Sequence, residues 1–139
     1  MCTHLLWYNK KFFNSIEENT SVMARNEVLG YQFAERIKSE LIIGSKMLAV
    51  IESLDGSELE GAKKMLAAFF DALAIDAGMA LKATGDPEFA MVEEKLNQIQ
   101  RNIDAADYQE AQATIGQSVS HATTVCARTM TALIEKGLI

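Results

Sequence analysis

From Val22 to Ile139 the apolar residues recur at spacings of three and four, and no segment alternates apolar and polar residues with period two. Even the mixed run Leu41–Ile51 continues a helical stripe. This periodicity restricts the chain to helices that each bury one face. Breaks fall at Asp55-Gly56-Ser57, at Gly85-Asp86-Pro87 and around Asp104. The expected fold is all-α: an antiparallel helical bundle of four main helices, with a short additional N-terminal helix.

Residues 1–21 differ in texture from the domain of residues 22–139, crowding Trp7, Tyr8, Phe12 and Phe13 into one stretch. Leu5, Tyr8, Phe12 and Ile16 share a helical face, so a short helix packed on the bundle is expected. Trp7, Lys10 and Lys11 also have the chemistry of a membrane-surface anchor, against which Glu17 and Glu18 weigh. A start at Met23 would make these residues incidental.

The next helix is expected from Ser21 to Leu54, burying Gly30, Phe33, Ala34, Ile37, Leu41, Gly44, Leu48 and Ile51. A glycine inside a helix costs about 1 kcal/mol relative to alanine, so Gly30 and Gly44 imply close approach of a neighbour. Ser57 and Glu60 have the spacing of a capping box that opens a helix ending near Thr84. Asp86-Pro87 reads as cap and first turn of an outer helix with a narrow seam of Phe89, Val92, Leu96, Ile99 and Ile103. A last helix runs from Asp107 to Lys136, stopped by Gly137.

The chain has 139 residues, enough for one domain with a real core. Its apolar share of 49% is high for a small bundle and suggests apolar surface covered by another copy. A formal net charge of −6 with no Lys/Arg cluster argues against nucleic-acid binding. Cys2 and Cys126 make no disulfide framework, and no secretory signal pattern opens the sequence. Met65–Leu81 is the most apolar stretch, but Asp71 and Asp76 each cost about 2.5–3.5 kcal/mol at a bilayer centre. The expectation is a cytoplasmic protein with no membrane span.

Residues 111–127 carry no formal charge with histidine neutral, and are rich in Ala, Ser, Thr and Gln. An exposed helix normally bears charge, so this stretch is expected to be central or to meet a second copy. On that reading Gly30, Gly44, Gly116 and Ala122 are the interface candidates. The rival reading is a polar pocket for a small anion, using Ser118, Thr124, His121 and Arg128, with Asp76 at the core edge. Asp76 itself asks for a cation from another helix, Arg36, Lys46 or Arg128. No catalytic residue, metal set or cofactor motif stands out: HExxH, P-loop, GxGxxG, GxSxG and paired ExxH motifs are all missing from the sequence. The sequence thus favours a non-enzymatic, self-associating interaction protein, a homodimer with itself as first partner and room for a further protein partner. The alternative is a binding protein or enzyme for a small anionic ligand.

Overall fold

The computed structural model describes residues 2–139, with side chains for residue 22 and residues 24–139. Four helices follow in order: α1 (Cys2–Ile51), α2 (Gly56–Thr84), α3 (Pro87–Asp104) and α4 (Tyr108–Glu135). No strand occurs among the described residues. The packing expected of Leu5, Tyr8, Phe12 and Ile16 lies outside the described side chains.

The helices form a closed ring in which α1 packs on α2 and α4, and α3 packs on α2 and α4, while neither diagonal pair comes close. Each neighbouring pair runs antiparallel. On α1 and α2, Arg36 reaches Asp76 while Gly44 meets Phe70 farther along, so α1 advances as α2 retreats. Between α1 and α4, Gly30 lies against Thr129 and Ser45 bonds Gln112. The short turns permit nothing else, because helices joined by a few residues must fold back on each other.

The core is built from the expected stripes. Ile37, Leu41, Leu48, Leu66, Phe70, Leu73, Phe89, Leu96, Ile99, Ile115 and Val125 are all buried. Glycines set the approach distances of α1. A Cβ on Gly44 would stand 3.0 Å from the Phe70 ring and 3.2 Å from Phe69; one on Gly30 would lie 3.2 Å from the Thr129 methyl carbon. The neighbours that both glycines admit belong to the same chain.

Helix ends follow local chemistry with one departure. Asp86 accepts from the Glu88 N–H, Pro87 fills the first helical position, and Gly85 closes α2 at φ +69°. The Ser57–Glu60 capping box does not form at a helix start. Instead α2 begins at Gly56, whose φ of +58° lets the chain turn one residue earlier, and Asp55 is the cap position without a side-chain bond. In the α3–α4 turn Ala106 takes φ +58°, a conformation costing roughly 1–2 kcal/mol for a residue with a Cβ.

The two glycine environments make opposite predictions. Gly116 has open space where its Cβ would be, so Gly116→Ala should stabilise by about 0.5–1 kcal/mol. Gly44→Ala must displace two phenyl rings and should lose about 1–3 kcal/mol to overpacking, more than the helix-propensity gain returns. Urea denaturation of both variants decides this; equal signs would contradict the close α1–α2 approach.

Candidate functional site

Around the α4 residues singled out from the sequence, the structure divides the set rather than assembling it. Ser118 is fully buried and donates to the Thr114 carbonyl one turn back, at 3.0 Å. Thr114 is buried in the same way, bonded to the Glu110 carbonyl. Thr124 is exposed and donates to the Ser120 carbonyl. These hydroxyls satisfy themselves on their own helix, the usual use of Ser and Thr within helices.

His121 and Arg128 lie on the flank of α4 that faces α3. The Nδ1–H of His121 donates to Glu88 Oε2 at 2.6 Å; a carboxylate only accepts, so the proton belongs on Nδ1. The Arg128 guanidinium bonds Asp86, the α3 cap residue, whose side chain is 9% exposed. Both groups therefore fasten α4 to the start of α3. A small groove of about 270 Å³ lies beside Arg128, lined by Asn26, Glu27, Gly30, Thr84 and Thr129 among others. His121, Ser118 and Thr124 do not line it; Thr124 and Arg128 instead share an open surface depression of about 590 Å³ with Ala127, Thr131, Ala132 and Glu135.

Asp76 sits elsewhere, on the α1–α2 side of the bundle. Arg36 donates to Glu40 at 3.0 Å and pairs with Asp76 at 2.9 Å, so one guanidinium serves two carboxylates. Burial pushes the Glu40 carboxyl above its ordinary range; the Arg36 bond offsets part of this, and the neighbouring Asp76 adds to it. Glu40 Oε2 is buried without a hydrogen-bond partner. The cluster is one positive charge short.

The interface candidates divide likewise. Gly30, Gly44 and Ala122 are buried within the chain, whereas Gly116 is exposed. The uncharged stretch of α4 was expected to have little exposed surface, yet Ala113, Gly116, Gln117, Ser120, Thr123, Thr124 and Ala127 all face solvent. Backbone-bonded hydroxyls at Ser120, Thr124 and Thr131 make an uncharged outer surface tolerable.

Another surface, not singled out from the sequence, is more unusual. Along the outer side of α1 and α2 stand Ile43, Val50, Met65, Ile75 and Met79, exposed by 49, 59, 71, 65 and 54%. Ala68 and Ala72 are exposed between them, and Met47, Ile51, Ala62 and Leu66 line an apolar groove with Val50 and Met65. Inside the groove of this face lies the Arg36–Glu40–Asp76 cluster, and exposed Lys46, Lys64, Lys82 and Glu58 stand along its rim. Other exposed large apolar residues are scattered, such as Val28 and Ile42 on the far flank of α1, Met91 on α3 and Ile134 near the end of α4. A signal existed in the sequence: Gly61, Met65, Ala68, Ala72, Ile75 and Met79 follow a strict alternation of four and three, a second seam on the helix that holds the most apolar stretch.

Among the described residues no group of three or more His, Cys, Asp or Glu could hold a metal ion, and no helix is long and apolar enough to cross a membrane. Fold and surfaces together define an all-α bundle with an uncovered apolar face. Compared with known proteins, the chain matches no family profile, no curated protein and no solved structure.

Two predictions follow from these contacts. Asp86→Ala removes a cap and an ion-pair partner and should cost about 1–2 kcal/mol. Arg128→Ala removes only a half-exposed pair and should cost about 0–1 kcal/mol. Denaturation midpoints that reverse this order would contradict the assigned roles. Separately, burial and then the nearby Glu35 carboxylate raise the Cys126 thiol to about 11, so it stays protonated at pH 8. Peptide mapping after brief iodoacetamide treatment at pH 8 should find Cys126 unmodified in folded protein and alkylated in urea; equal labelling in both would refute the burial.

Proposed function

We propose that this protein is a non-enzymatic, self-associating helical-bundle interaction protein that works as a homodimer in a reducing, cytoplasmic setting. One observation carries the reading: the exposed Met65, Ile75 and Met79 of α2 and Ile43 and Val50 of α1 share one face, whereas Val28 and Ile42 of α1 lie apart from it. Isolated apolar residues on a surface need no explanation, but a contiguous patch of this kind marks an interaction site. Leaving it in water costs roughly 25 cal/mol for each Å² that a partner would cover. The cytoplasmic setting rests on the sequence argument, in which Cys126 serves as a small apolar residue rather than a disulfide partner.

The rival reading, a small-anion site on α4, has less in its favour. Arg128 and His121 are each engaged with a carboxylate of α3, and Asp76 belongs to a cluster on another side of the bundle. A ligand there would have to displace the Arg128–Asp86 ion pair and the His121–Glu88 hydrogen bond.

Sedimentation equilibrium tests the proposal. The full chain should be dimeric at tens of micromolar, the affinity range of a standard small interface. Ile75→Lys, an exposed substitution, should give monomer with unchanged helical circular dichroism. Wild-type protein that remains monomeric at several hundred micromolar would overturn the reading.

A further inference from the structure

We infer that the α1–α2 face pairs with the same face of a second copy about a two-fold axis crossing both helices at the level of Ile43 and Phe70. In that arrangement α1 lies antiparallel on the partner's α1, and α2 on the partner's α2. The inference rests on the self-association reading and deepens it, because the positions of residues on the face select one orientation.

The levels come from contacts within the chain. Arg36 reaches Asp76, Gly44 touches Phe69 and Phe70, and Val50 shares a groove with Met65. Each step forward on α1 thus matches a step back on α2, and Ile43 stands level with Phe70. An axis at that level exchanges residues equidistant from it. Along the outer seam of α2, Ala68 then meets the partner's Ala72, Met65 meets the partner's Ile75, and Gly61 meets the partner's Met79. Two alanines at the centre admit close approach, and the larger side chains fill the flanks, which is the knobs-and-holes layering of antiparallel helices. On α1, Ile43 meets itself.

Charges agree with the same axis. Lys46 and Glu40 are each three residues from Ile43, so Lys46 comes opposite the partner's Glu40. Lys64 and Asp76 are each six residues from Phe70, and Lys82 and Glu58 each twelve, so these too become opposite pairs. All three lysines are exposed. An extended lysine spans the offset between outer rim and groove, and it would supply the cation that the Arg36–Glu40–Asp76 cluster lacks, next to the unpartnered Glu40 Oε2. A two-fold axis parallel to the helices would instead set Lys46 against Ala67 and Ala68, and Lys64 against Ala49 and Val50, leaving all three lysines without a carboxylate opposite; it would bring Arg36 only to the level of the partner's Asp76, a carboxylate already paired within its own chain. Such complementarity fixes orientation more than it adds affinity.

The size is adequate. From Gly61 to Met79 the face is roughly 27 Å long and 20 Å wide, two helices across. Two such faces cover about 1,000 Å², the lower limit for a specific dimer.

Crosslinking in the full chain, in a Cys2→Ser background, tests the arrangement. Met65→Cys and Ile75→Cys proteins, mixed and oxidised, should give a mixed disulfide dimer. Neither should crosslink alone, since each residue lies about 15 Å along the axis from its own copy, beyond disulfide reach. Lys82→Glu should weaken the dimer about fivefold by sedimentation, and Glu58→Lys in the same chain should restore it. A dimer that shows no mixed disulfide, or that crosslinks through Met65→Cys alone, overturns this arrangement and leaves self-association standing. A dimer that Lys82→Glu leaves unweakened, or Glu58→Lys does not restore, counts against it equally. A monomer under all conditions overturns both.

Discussion

The close approach of α1 to α2 at Gly44 governs the surface that the bundle presents. With no Cβ at Gly44, the Phe70 and Phe69 rings sit against the α1 backbone, and the two helices lie nearer than side-chain packing would allow. That proximity leaves only a shallow groove between them, too shallow to take in Met65, Val50 or Met47 fully. It also carries Arg36 to Asp76, so the charges nearest the groove are spent on each other. The result is a wide apolar face with one compact ionic cluster in its groove and Lys46, Lys64, Lys82 and Glu58 along its rim, in a protein of net charge −6.

The opposite flank is organised on another principle. Between α3 and α4, polar groups are consumed in joining helices: Asp86 both caps α3 and holds Arg128, and Glu88 holds His121. Ser and Thr along α4 bond their own carbonyls, inside and outside alike. Such hydroxyls add little free polarity, so α4 shows solvent an uncharged but quiet surface. Chemistry that looked available in the sequence is already in use for structure.

The four main helices, the three breaks between them and their buried stripes were legible because each depends on residues three or four apart. The separate short helix expected before Ser21 was not found: α1 runs unbroken from Cys2 to Ile51. The α3 seam from Phe89 to Ile103 is buried as the spacing implied, and the Asp86-Pro87 start is as expected. The reason for Gly30 and Gly44 was also legible, though not whose helix they admit. Pairings between helices were not readable: nothing local links Glu88 to His121 or Arg36 to Asp76, since these depend on how the ring closes. The uncharged α4 stretch misled because lack of charge was equated with burial, whereas backbone-bonded hydroxyls lower the cost of exposure. The apolar face went unrecognised for a related reason. The stretch Met65–Leu81 stood out in the sequence only as the most apolar one, and it takes the ring of four helices to reveal that one side of α2 has no neighbour among the described residues.

The central claim is that a second copy covers the face formed by α1 and α2, and methionine oxidation reports it most directly. Met65 and Met79 lie on that face, while Met91 is exposed on α3, away from it. Brief peroxide treatment across a dilution series, read by mass spectrometry of peptides, compares the three in one sample. The account predicts that Met65 and Met79 are protected at high protein concentration and become reactive on dilution, with Met91 reactive throughout. Oxidation of all three at rates independent of concentration would contradict it.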